Sequence, residues 1–70
     1  MIEIFKTNVR SATQARKLVR MLQHYYPGGQ INFDLEDCDN ILRVKHEAVN
    51  AMHVIPIMKD HGYSCEVLPD

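Results

Sequence analysis

The first six residues, MIEIFK, alternate, with Ile2 and Ile4 on one face and Glu3 and Phe5 on the other. That period of two predicts a strand. Ser11 followed three residues later by Gln14 is a capping-box pattern. Ala15, Leu18, Val19, Leu22 and Tyr26 then recur at helical spacing, so a helix is predicted from about residue 12 to 26. Pro27-Gly28-Gly29 ends it. QINFDLE is the clearest strand, with Ile31, Phe33 and Leu35 pointing one way and Asn32, Asp34 and Glu36 the other. DCDN reads as a turn and ILRVK as the returning strand, with Leu42 and Val44 inward. In EAVNAMHVIPIMKDHG, the helical positions are Ala48, Met52, Ile55 and Met58 or Lys59. Pro56 removes a hydrogen bond there and predicts a kink or a delayed helix start. Gly62 suits the end of this helix. YSCEVL is the last strand, with Tyr63, Cys65 and Val67 on its inner face.

The element order β-α-β-β-α-β predicts an α+β chain with a four-stranded antiparallel sheet and both helices on one face, the ferredoxin-like sandwich. Right-handed crossovers give the strand order 4-1-3-2. Seventy residues make one domain, 1–70, without room for a second. This topology gathers three loops at one end of the sheet: Thr7–Ser11, Glu36–Asn40 and Lys59–Tyr63. It also separates the two cysteines. Cys38 lies in the hairpin between strands 2 and 3, and Cys65 on edge strand 4, with strand 1 between. Strands about 4.8 Å apart place the thiols at least roughly 10 Å from each other, beyond disulfide reach. Neither a disulfide nor a shared metal is expected between them.

Composition narrows the function classes. The chain is 46% hydrophobic with a net charge of -1, normal for a folded domain. No apolar run approaches the roughly 18 residues of a membrane span, and MIEIFK carries an acid where a secretory leader carries bases. A cytoplasmic location, with no membrane partner, is the expectation. The charge is polarised. Lys6, Arg10, Arg16, Lys17 and Arg20 face only Glu3 in the first 24 residues, whereas Asp34, Glu36, Asp37 and Asp39 crowd residues 25–40 without a base. Such polarity suits a complementary partner.

Several segments together resemble the heavy-metal-associated domain family, which includes small copper chaperones. IMKDHGYSCEVL is similar to the family's closing helix, Gly-Tyr pair and strand; INFDLEDCDNILRV is similar to its central hairpin; ATQARKLVRML has the apolar spacing of its first helix. The resemblance implies the ferredoxin-like fold and covers nearly the whole chain. The family holds a soft metal through an M-x-C-x-x-C loop after the first strand, because two adjacent thiolates chelate Cu(I) or zinc. Here Lys6 aligns with the methionine, and Asn8 and Ser11 with the cysteines. Asn and Ser are hard, neutral and weak ligands, so that thiolate site cannot form.

Another metal site is conceivable. Asp37, Cys38 and Asp39 are consecutive, His61 falls at the same end, and Cys, His and carboxylate are zinc ligands. The plainer reading makes DCDN a turn, Cys38 a free thiol and His61 a helix-end residue favoured by the dipole. His24, His46 and His53 share no i, i+4 spacing and read as surface or cap residues. Nothing supports catalysis: no nucleophile-base constellation can be placed, and the glycine-rich phosphate loop of the topologically similar acylphosphatases is missing. Nucleic acid is also disfavoured. The exposed sheet face is expected to carry Glu3, Phe5, Asn32, Asp34, Glu36, Arg43 and Lys45, one aromatic among several acids.

The expectation is therefore a non-enzymatic domain without a cofactor that binds a protein partner or itself. Arg10, Arg16, Lys17 and Arg20 would meet an acidic surface, which in a homodimer would be the Asp34–Asp39 hairpin. Edge strands 2 and 4 offer backbone groups for pairing. The alternative is metal handling, of Zn or Cu, by Cys38, Asp37, Asp39 and His61.

Overall fold

Phe5, Thr7 and Val9 share one parity along the chain, and all three are buried in the computed structural model, which describes residues 1–69. That parity sets the first strand, β1 (Ile2–Thr7). Phe5 lies opposite Leu42 and Val67, and its side chain is 0% exposed, whereas Ile2 is 52% exposed opposite Lys45. The expected exposure of Phe5 is thus reversed. Ile2 and Ile4 share the open face with Arg43 and Lys45, and Phe5 belongs to the core with Leu42 and Val44. The buried alternation of Phe5, Thr7 and Val9 runs beyond the strand into the loop and outweighs the shorter Ile2–Ile4 pair, because one residue of slip would turn every side chain over.

The remaining elements are α1 (Ala12–Tyr25), β2 (Gln30–Asp34), β3 (Ile41–Lys45), α2 (Ala51–Asp60) and β4 (Cys65–Val67). The sheet is antiparallel throughout and runs β2-β3-β1-β4, which counted from the β4 edge is 4-1-3-2. Ala15, Leu18 and Leu22 of α1 and Val54 and Met58 of α2 enter one core with Phe5, Leu42 and Val44. α1 lies against β2 and α2 against β4. The domain thus has two layers, a helix pair and a sheet, and among the described residues no helix covers the other sheet face. Asp70, the last residue of the expected domain, lies outside the described residues.

Ser11 starts α1 as expected: it is extended, and its Oγ accepts the Gln14 N–H at 3.4 Å. α2 shows the delayed start that was one of the two expectations, and one difference in its buried face. It starts at Ala51, capped by Asn50, whose Oδ1 accepts the Met52 N–H at 2.9 Å. Its buried positions are Val54 and Met58, while Met52, expected inward, is 75% exposed. The late start resets the helical phase. It also places Pro56 on the exposed side, where water can satisfy the Met52 carbonyl that Pro56 leaves without a donor. The helix ends in a left-handed turn. Gly62 has φ of 89°, its N–H donates to the Lys59 carbonyl at 2.9 Å, and the Tyr63 N–H donates to the Met58 carbonyl at 3.0 Å. β4 is shorter than its apolar pattern suggests, with Tyr63 before it and Val67 exposed.

Candidate interaction surfaces and metal-ligating residues

Three loops meet at one end of the sheet through bonds that leave little freedom. Thr7 is buried, its N–H donates to the Asp39 carbonyl at 3.1 Å and its Oγ1 to the Asn40 carbonyl at 2.6 Å. The same Oγ1 accepts the Val9 N–H at 3.2 Å. The next residue, Asn8, reaches the other way, and its Oδ1 accepts the Ser64 N–H at 2.9 Å. β1 is thereby fastened to the β2–β3 hairpin and its following loop to the lead into β4. Asn8 and Ser11, the positions aligned with the thiolates of the resembling family, are both engaged in local architecture: Asn8 as a clasp, Ser11 as a helix cap.

An open cleft of about 460 Å³ lies at this end, bordered by Lys6, Asn8, Arg10, Cys38, Cys65 and Glu66. Both cysteines are free, Cys38 exposed and Cys65 half-buried. Burial pushes the Cys65 thiol up from 9.0 to about 12, which keeps it protonated and a poor nucleophile or ligand at neutral pH. Arg10 precedes α1, so it belongs to this cleft and not to the helix face with which it was expected to act.

Of the four expected metal ligands, three come together. One donor atom each from Asp37, Cys38 and Asp39 lies within 4.8 Å of the others. His61 stands apart from this group: its Nδ1 lies 2.9 Å from the Ile57 carbonyl, and a carbonyl can only accept, so Nδ1 carries the proton. The carboxylates are already employed. Asp37 Oδ1 accepts the Asp39 N–H at 2.8 Å, closing the turn that also holds Asn40 N–H on the Asp37 carbonyl at 3.0 Å. Asp39 pairs with Lys6 at 3.8 Å. His46 is structural: its ring spans the Pro27 carbonyl and the Ala48 N–H, each at 3.0 Å, and packs against Tyr26 with centroids 5.4 Å apart.

In the second region Arg16, Arg20 and the β2 edge were expected to meet a partner, but the groove between them was not expected. α1 lies over edge strand β2, and between them runs an open, mainly apolar groove of about 490 Å³. Val19, Ile31, Phe33 and Leu35 line it, with Arg16 and Arg20 at its helix side. The two arginines sit four residues apart and therefore on one helix face. Arg16 Nη2 donates to Thr13 Oγ1 at 3.4 Å. The two ion pairs among the described residues join Lys6 to Asp39 and Arg43 to Asp34, and neither uses Arg10, Arg16, Lys17 or Arg20. Ile31, Phe33 and Leu35 were read as inward; the missing signal was how much of them α1 would leave uncovered.

No helix among the described residues is long and apolar enough to cross a membrane. Comparison with protein-family models, curated proteins and solved structures finds no match for this chain.

Proposed function

We propose that this chain is a non-enzymatic, ferredoxin-like protein-interaction module of the cytoplasm, akin to heavy-metal-associated domains but without their metal loop. The observation that carries this reading is the pair Arg16 and Arg20, in no ion pair among the described residues, beside an apolar groove at an edge strand. Apolar surface with a charged margin is the ordinary composition of a protein interface. The positions where the family keeps its thiolates support the same reading, since Asn8 and Ser11 bond to the backbone. A homodimer through the Asp34–Asp39 hairpin is the weaker form, because Asp34 and Asp39 already pair with Arg43 and Lys6.

The test is quantitative affinity capture with the wild-type chain and with the Arg16→Glu/Arg20→Glu variant, alongside light scattering at low and high salt. The reading expects proteins retained by the wild type and lost by the variant. Identical retention by both, with a salt-insensitive monomer, would overturn it.

A second reading, Zn or Cu(I) binding, is favoured by the mutual proximity of Asp37, Cys38 and Asp39. Under it, Cys38 supplies the thiolate and the two carboxylates exchange their present partners for the ion. Titration of the wild type beside Cys38→Ser separates the readings: stoichiometric binding lost in the variant supports metal handling, and no binding by the wild type removes it.

A further inference from the structure

The ladder at the β2 edge identifies which backbone groups are free. The His46 N–H donates to the Met1 carbonyl at 3.0 Å, so the alternate residues His46, Val44 and Leu42 bond towards β1. Lys45, Arg43 and Ile41 must therefore bond towards β2, where their opposite residues are Gln30, Asn32 and Asp34. That leaves the N–H and C=O groups of Ile31 and Phe33 directed outward from the edge. Their side chains are the ones that line the α1–β2 groove. Backbone pairing groups and side-chain pockets thus coincide along one line.

The usual protections of an edge are missing here. Gln30–Asp34 contains no proline, its five pairs with β3 run without a bulge, and its one acid, Asp34, pairs with Arg43 on the strand's other side. By contrast, the opposite edge strand β4 is only three residues long.

Resting on the interaction reading above, we propose that the β2 edge receives an extended peptide as a fifth strand. The peptide's groove-facing side chains would be apolar, with carboxylates at neighbouring groove-facing positions. Backbone pairing with Ile31 and Phe33 supplies the register, and the apolar side chains fill the space between Val19, Phe33 and Leu35. The carboxylates meet Arg16 and Arg20, which pair with no acid among the described residues. A second copy of this chain fits less well. Twofold pairing of β2 with β2 would bring the two α1 helices side by side, setting Arg16 and Arg20 of each against the other's.

The test begins with selection on the wild-type chain from a displayed library of random peptides about 12 residues long, roughly twice the length of β2. Enriched peptides are expected to alternate and to carry Asp or Glu beside apolar residues. Synthetic versions are then N-methylated on alternate residues. Strand addition requires that methylating one alternating set, but not the other, weakens binding, because only one set directs its N–H groups to β2. Arg16→Glu/Arg20→Glu, both at exposed positions, is expected to weaken binding at least about tenfold, the scale of one or two interface arginines. Circular dichroism of the variant checks that its fold is intact. Equal loss from both methylated sets, or no alternating acidic consensus, would overturn strand addition. If capture of whole proteins still depends on Arg16 and Arg20 in that event, the interaction reading survives alone; if it does not, both fall. A concentrated wild-type chain that dimerises and excludes the peptide would assign the edge to a second copy and also overturn the proposal.

Discussion

Asn8 Oδ1 accepts the Ser64 backbone N–H at 2.9 Å, joining residues 56 apart in sequence. The bond closes the β1–α1 loop onto the lead into β4, at the position aligned with the first thiolate of the resembling family. Asn8→Ala is expected to cost about 0.5–1.5 kcal/mol, the ordinary net worth of one such bond. Urea unfolding measures this. A loss near zero would mean that the clasp does not order the loop.

Thr7 makes a stronger demand, because it is buried and uses its hydroxyl twice, as donor to Asn40 and acceptor from Val9. Thr7→Val keeps the shape but leaves a carbonyl and an N–H without their partner, at an expected cost of about 1–3 kcal/mol. Thr7→Ser retains both bonds and is expected to lose less. A larger loss from Thr7→Ser than from Thr7→Val would place the effect in packing and not in the two bonds.

The facing of β1 gives a sharper contrast. Phe5→Ala opens a hole in the core and is expected to cost about 3–5 kcal/mol. Ile2→Ala removes a half-exposed side chain and is expected to change stability by about 0.5 kcal/mol or less. Comparable losses at the two positions would contradict the register in which Phe5 faces Leu42.

Restoring the missing ligands tests the family resemblance. Asn8→Cys with Ser11→Cys recreates the two-thiolate spacing between β1 and α1. If the loop keeps the family's geometry, this variant gains stoichiometric Cu(I) or zinc binding that the wild-type loop lacks, at a cost in stability from losing the clasp and the cap. Failure to gain a site would separate this loop from the metal-binding ones despite the shared order of elements.

Cys65 makes stability pH-dependent. Its folded-state thiol titrates at about 12 against 9.0 for the ordinary group, because burial disfavours the thiolate. The folded state therefore holds the proton more tightly. This contribution is fully present below pH 9.0 and is lost as pH rises towards 12. The wild type is expected to lose more stability across that window than Cys65→Ala, which lacks the titrating group. The same burial makes Cys38 the faster thiol towards iodoacetamide; preferential labelling of Cys65 in the native protein would contradict it.

Much of this architecture was readable in the chain because its strongest periods are local. Ile31, Phe33 and Leu35 alternate cleanly, and Ala15, Leu18 and Leu22 hold one helical stripe. β1 was misread because both of its faces carry apolar residues, and the Phe5, Thr7 and Val9 parity that decides between them runs past the strand into the loop. α2 was misphased because Asn50, an ordinary polar residue in sequence, becomes the cap that sets the helix start. The loop end was legible in outline from topology, yet the Thr7 and Asn8 bonds depend on contacts across 33 and 56 residues that no local pattern encodes. The α1–β2 groove was invisible for a related reason: sequence marks which residues are apolar, but the tilt of a helix over an edge strand decides how much of them stays uncovered.

The most direct measurement of the central claim is an amide chemical-shift map of the isotopically labelled chain on addition of a selected peptide or captured partner. The account expects the shifts to concentrate at Arg16–Arg20 and Ile31–Leu35. Shifts confined to Asp37–Asn40 and His61 would contradict it and return the function to the hairpin end.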